Sequence, residues 1–248
     1  MNFDAHPRSS LIVALDFDSL TTALKFAERV ADVVGTFKIG SQLFTSAGPE
    51  AVRQVAGLGT GVFLDLKFHD IPNTVAGAVL ASAALPGVQL VNVHALGGAT
   101  MMRAAAQAVS AGVPMGADRT RLLAVTILTS MDQKAMREAG ISGAPKSRVV
   151  KLAKLAQDAG VDGVVASVQE AKAIRKACGQ EFLIVTPGVR PKAKNGVAKV
   201  DDQTRTATPR EAIKAGADFI VVGRPILTAE DPRKAAQEIV DEIAAAKG

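Results

Sequence analysis

The chain has no tryptophan and no tyrosine among its 248 residues, a single cysteine, Cys178, and only three histidines. Without Trp or Tyr, it is poorly supplied with platforms on which single-stranded bases stack. Its basic residues are dispersed among acidic ones, so the net charge of +5 does not read as a nucleic-acid footprint. A basic excess equally suits the capture of a small polyanion. One cysteine cannot close an internal disulfide, and Cys178, in an alanine- and lysine-rich helical segment, reads as a packing residue, which fits a reducing compartment. No apolar run approaches the ~18 residues of a membrane span, and Met1 to Ser10 lack the apolar stretch of a signal peptide. The expectation is a cytoplasmic protein that does not cross a bilayer. The histidines form no ligand-spaced cluster with Cys178 or a carboxylate, so His69 and His94 are read as packing or hydrogen-bonding groups and no metal site is expected.

What is present is a rhythm. Short apolar runs recur at Leu11–Leu15, Thr36–Ile39, Val62–Leu66, Leu90–Val93, Leu122–Leu128, Val164–Ala166, Leu183–Val185 and Phe219–Val222. Several are continuous rather than alternating, the pattern of parallel strands covered on both faces, and longer stretches of helical period separate them. Helix starts are marked by Ser167 with Glu170, by Thr208 with Pro209 and Glu211, and by Asp231 with Pro232. Gly57, Gly160 and Gly216 lie where helices should stop. Eight such units predict an α/β fold, a single (β/α)8 TIM barrel over residues 1–248. An open doubly wound sheet gives similar local signals, but no glycine-rich dinucleotide fingerprint follows the first strand. The lysine-rich stretch from Arg190 to Thr206 is predicted to be a mobile loop.

In a barrel the carboxyl ends of the strands build the active site. Most of the apolar runs end in polar groups: Asp16 after the first, Lys38 in the second, Asp65 and Lys67 in the third with Asp70 beyond, Asn92 and His94 at the fourth, and Thr129 and Ser130 after the fifth. A charge inside a buried strand costs several kcal/mol unless paired, so Lys38, Asp65 and Lys67 are expected to partner one another. Asp65 and Lys67 are two apart, which in an extended strand places both on one face. These charges form either a structural ion network at the barrel mouth or a reaction centre.

The segment Asp65-Leu66-Lys67-Phe68-His69-Asp70-Ile71-Pro72-Asn73-Thr74 closely resembles the signature of orotidine 5'-phosphate decarboxylases. The resemblance extends over nearly the whole chain, in the family's order. It takes in Leu15-Asp16, Phe37-Lys38-Ile39-Gly40, Val91-Asn92-Val93-His94-Ala95, Leu128-Thr129-Ser130, Thr186-Pro187-Gly188-Val189-Arg190, Asp202-Gln203, Thr208-Pro209 and Gly223-Arg224-Pro225-Ile226. It implies a carboxy-lyase acting on a nucleotide without cofactor or metal, in the last step of de novo UMP synthesis. By the same resemblance Lys67 would protonate the carbon that loses carbon dioxide, Asp65 would lie against the departing carboxylate, and Asp70 would enter from the other subunit of a homodimer. Asp16 and Lys38 would bind the ribose hydroxyls and join the charge array. Thr74 would belong to the ligand-contacting segment, Thr129 and Ser130 would contact the pyrimidine, and Arg190, Gln203, Gly223 and Arg224 would hold the phosphate. The stretch Lys192–Val200 departs from the pattern by looking a few residues longer than in compact bacterial members.

Two other readings compete. A metal-dependent sugar-phosphate decarboxylase or aldolase of the same superfamily shares the Asp-x-Lys-x-x-Asp arrangement, but resemblance to it implies a metal-binding carboxylate where Lys38 stands. A catalytically silent nucleotide-binding barrel is disfavoured because every expected polar position is filled.

Overall fold

The computed structural model describes residues 6–111, 119–191 and 207–248. Eight strands, β1 (Leu11–Ala14), β2 (Thr36–Gly40), β3 (Gly61–Phe68), β4 (Val88–His94), β5 (Arg121–Val125), β6 (Gly163–Val165), β7 (Leu183–Thr186) and β8 (Phe219–Val222), pair in parallel in chain order. Leu11, Ile12 and Val13 of β1 pair with Ile220, Val221 and Val222 of β8, which closes the barrel. The helices between strands are α1 (Leu20–Val30), α2 (Ser41–Ala47), α3 (Pro49–Ala56), α4 (Pro72–Ala83), α5 (Gly98–Ala111), α6 (Gln133–Glu138), α7 (Pro145–Asp158), α8 (Val168–Cys178) and α9 (Pro209–Lys214), followed after β8 by α10 (Arg224–Leu227) and α11 (Pro232–Lys247). Among the described residues no helix is long and apolar enough to cross a membrane.

The continuous apolar strands are explained by two cores. Ile12, Phe63, Leu90, Leu123, Val185 and Phe219 meet inside the barrel. Neighbours on the same strands, such as Leu11, Val13, Leu64, Val91 and Leu122, point outward under the helices. Burying one such side chain contributes about 1.5–3 kcal/mol, so a residue needed on either face has to be apolar.

The predicted helix starts form. Thr208 and Glu211 make a reciprocal capping box, Ser167 accepts from the Gln169 N–H, and Asp231 accepts from the Lys234 N–H. Gly160 and Gly216 sit at φ +83° and +99° past the ends of α7 and α9, but Gly57 is helical at φ −60°, and the left-handed turn after α3 falls on Gly59. The apolar run predicted as a strand to Leu128 stops pairing earlier. Thr126 turns both its N–H and its hydroxyl onto the Val165 carbonyl, and the chain then leaves the sheet, carrying Thr129 and Ser130 over the barrel mouth.

At the amino ends of the strands, acidic residues serve the sheet. Asp162 accepts from the Leu122 N–H and pairs with Arg119. Asp218 accepts from the Ile184 N–H and from Arg175, each at 2.7 Å. Polar groups at this end of a barrel are architectural, and the reactive ones gather at the other.

Candidate active site

A cavity of about 300 Å³ opens at the carboxyl ends of the strands. Asp16, Lys38, Asp65 and Lys67 form one wall, and Val125, Ile127, Val165, Ala166 and Val221 form an apolar wall. This is the combination of a dry surface and a few convergent polar groups that small-molecule sites use.

The charged wall is built from three strands. Pairing between β1 and β2 continues one residue beyond β1, with the Leu15 N–H donating to the Lys38 carbonyl, so Asp16 emerges beside Lys38. Lys38 Nζ lies 3.3 Å from Asp16 Oδ1 and 3.3 Å from Asp65 Oδ2. Lys67 Nζ donates to Asp65 Oδ1 at 2.7 Å. Asp65 is thus held between two ammonium groups. Burial works to raise its carboxyl pKa, but the charges of Lys38 and Lys67, with hydrogen bonds from Lys67 and Asn92, override it and bring it below the usual carboxylate value.

The expected partnership of Asp65 and Lys67 is present, although strand alternation is not its cause. On the β4 side, β3 loses register: Leu64 pairs with Val91 and Phe68 with Val93, so Asp65, Leu66 and Lys67 together face Asn92 alone. On the other side, Asp65 still pairs with Gly40 of β2. The bulge lets Lys67 take φ +53°, unusual for a residue with a side chain, and its ammonium turns back onto Asp65. Fully buried Asn92 accepts from the Lys67 N–H at 2.8 Å and donates to Asp65 Oδ1 at 2.7 Å.

The remaining predicted residues divide. Thr129 and Ser130 line the cavity from the loop after β5, and Arg190, Gly223 and Arg224 line it as well, with Gly223 beside Asp16. Gly223 leads directly into α10. Gln203 and the stretch Lys192–Val200 lie outside the described residues. Asp70 and Thr74 do not join the cavity wall in the single chain. Asp70 is exposed, with its carboxylate accepting from the Ile71 N–H, and Thr74 is exposed on α4. The second anion among these charges is Asp16 instead. Nearby Ile71 and Leu80 are 66% and 43% exposed, a high exposure for large apolar side chains.

His69 and His94 stack with ring centroids 5.4 Å apart, and His94 Nδ1 accepts from the Leu96 N–H. Burial, then the neighbouring His69 and Lys67, pushes His94 below the usual histidine value. Cys178 is buried, and burial raises its thiol, as befits a packing residue. Among the described residues no three His, Cys, Asp or Glu side chains group as metal ligands.

One position that strand-end reasoning had left without a role is Gly40. A methyl group there would stand 3.0 Å from Lys38 Nζ, so the missing side chain makes room for the ammonium between its two carboxylates.

Comparison with known proteins agrees over nearly the whole length. The model of the orotidine 5'-phosphate decarboxylase / HUMPS family matches residues 9–239. The chain is 56% identical over 238 residues to the orotidine 5'-phosphate decarboxylase of Trichlorobacter lovleyi, covering 96% of each, and 54% identical over 245 residues to that of Pelobacter propionicus, covering 99% of each. The crystal structure of orotidine 5'-phosphate decarboxylase from Lactobacillus acidophilus is similar with a TM-score of 0.82 at 39% identity, over 94% of this chain and 98% of that one.

Proposed function

The chain belongs to the orotidine 5'-phosphate decarboxylase / HUMPS family, and we propose that it converts orotidine 5'-phosphate to uridine 5'-phosphate and carbon dioxide, the last step of de novo UMP synthesis, through the charges at the mouth of β3. The supporting observation is the Lys67 ammonium held 2.7 Å from a buried carboxylate that a second ammonium also flanks.

The chemistry needs such an arrangement. Breaking the bond between the ring carbon and the carboxylate leaves an electron pair in the plane of the pyrimidine, where ring conjugation does not delocalise it. A fixed ammonium stabilises that pair as it forms and then transfers a proton to the same carbon; Lys67 regains its proton from water. Asp65 holds the Lys67 ammonium in place at 2.7 Å, and it occupies the place against which the departing carboxylate lies. Transition-state stabilisation by Lys67 is the larger effect, with strain against Asp65 secondary. Asp16 and Lys38 hold the ribose hydroxyls, and Thr129 and Ser130 hold the ring.

The phosphate binds between Gly223, Arg224 and Arg190, where barrels commonly hold phosphate, with Gln203 as a further ligand. The enzyme works in the cytoplasm as a homodimer, with Asp70, and Thr74 in the same segment, delivered to the neighbouring subunit's site. The exposed Ile71 and Leu80 beside that segment support this arrangement, because a subunit interface would cover them.

The sugar-phosphate alternative requires a divalent cation near Asp65, where the Lys38 ammonium already lies 3.3 Å from two carboxylates and would repel it. The deciding experiment follows the loss of orotidylate absorbance on adding purified, metal-free protein, with and without chelator. Turnover in both supports the proposal. No turnover refutes it, and turnover lost only in chelator transfers the assignment to the metal-dependent reading.

A further inference from the structure

Resting on the decarboxylase reading, we infer that Asn92 is the positioning residue of the reaction, a buried clamp that fixes Lys67 and Asp65 relative to each other. Its side chain is fully buried at the one place in the barrel where three residues of β3 face a single residue of β4. A bulge strands the backbone polar groups that a regular ladder would have paired, and a buried N–H without an acceptor is destabilising. The Asn92 amide takes up that N–H from Lys67 at 2.8 Å and, with its other end, donates to Asp65 Oδ1 at 2.7 Å.

The amide can sit only one way round. A backbone N–H only donates, so it faces Oδ1, and an ionised carboxylate only accepts, so it faces Nδ2. The oxygen that Asn92 holds is the same Oδ1 that receives the Lys67 ammonium, so one amide grips Lys67 at its backbone and at its ion-pair partner. Holding a residue with a side chain at positive φ is unfavourable, and the bond from the Lys67 N–H to Asn92 helps to offset that. No other side-chain type of this size offers one acceptor and one donor in a fixed plane. Aspartate has the same shape but meets Asp65 carboxylate to carboxylate, unless a proton lies between them.

The test compares orotidylate turnover and thermal unfolding of the wild type, Asn92→Ala and Asn92→Asp. Asn92→Ala is expected to lose about 100-fold in kcat, the scale of a misplacement near 1 Å, with KM changed less than about threefold because ribose and phosphate contacts stay in place. Asn92→Asp is expected to regain kcat, relative to wild type, as pH falls from about 8 to about 6, when a shared proton restores the donor to Asp65. A role in folding alone would not produce that pH profile. If Asn92→Ala does not fold, the Asn92→Asp profile decides. The inference is overturned if Asn92→Ala keeps kcat within twofold, or if the Asn92→Asp ratio to wild type is flat with pH. A wild type that releases no carbon dioxide from orotidylate overturns the decarboxylase reading and this inference with it; an active wild type beside indifferent variants overturns this inference alone.

Discussion

Lys38 and Asp65 face each other at 3.3 Å from adjacent strands, with side chains only 12% and 10% exposed. Neither is tolerable there alone, since an unpaired charge at that depth costs several kcal/mol. Together with Lys67 they hold Asp65 ionised against its burial. The sign of the consequence follows. A carboxyl whose folded pKa is depressed adds stability above its unfolded value, and that stability is lost as pH falls through the folded pKa. Replacing Lys38 by Met removes the larger of the two charges that lower it. The destabilisation is expected to be greatest at neutral pH and to shrink as pH falls below the usual carboxylate value and through the folded one, where Asp65 becomes protonated. Denaturant unfolding of the two proteins across that range checks this, and a difference that does not vary with pH contradicts it.

Gly40→Ala isolates the placement of Lys38 from its charge. The new methyl group would crowd the far end of the flexible Lys38 side chain and make an ordinary contact with Asp16 Oδ1, so stability should change by less than about 1 kcal/mol. The displaced ammonium should lower kcat/KM roughly tenfold. Steady-state kinetics beside a melting curve measures both; full activity would show that the ammonium has slack.

The proposed exchange of Asp70 between subunits predicts complementation. Lys67→Ala and Asp70→Asn should each keep the fold and lose at least about a thousandfold in activity. Mixed and allowed to exchange, half of the dimers become hybrids, and each hybrid holds one complete site. About a quarter of wild-type activity should then return. A mixture as inactive as its components would place Asp70 outside the neighbouring site.

His94 contributes a pH dependence of opposite chemical origin. Its pKa is lowered in the folded protein, chiefly by burial, so the unfolded chain binds the proton first as pH falls below about 6.5. Stability therefore falls with pH in that window, by at most about 1.4 kcal/mol per pH unit for one proton. His94→Asn should flatten that slope below about pH 6.5 while leaving stability above pH 7 nearly unchanged. An unaltered slope in chemical denaturation would assign it to other groups.

The barrel was legible in the sequence because its strands are covered on both faces, which leaves uninterrupted apolar runs such as Ile12-Val13 and Ile220-Val221. Asp16, Lys38 and Asp65 were legible because a charge ending such a run needs a partner. The bulge in β3 was not. Asp65 and Lys67 were matched by alternation, whereas a register shift against a strand 25 residues away brings them together. Asn92 shows the same limit: its place at a strand end could be read locally, but its two bonds depend on which β3 residues it faces. Asp70 and Thr74 follow Lys67 within one short motif, yet the turn into α4 carries them outward, away from the cavity of their own chain.

The closure of the barrel by β1 against β8 also orders events on the ribosome. Asp16, Lys38, Asp65 and Lys67 are all synthesised well before Gly223 and Arg224, which follow β8. A nascent polypeptide therefore carries its reactive half long before the residues proposed to grip the substrate's phosphate exist. Premature termination before β8 would leave the last seam of the cylinder unzipped and the reacting groups without an anchor for the nucleotide.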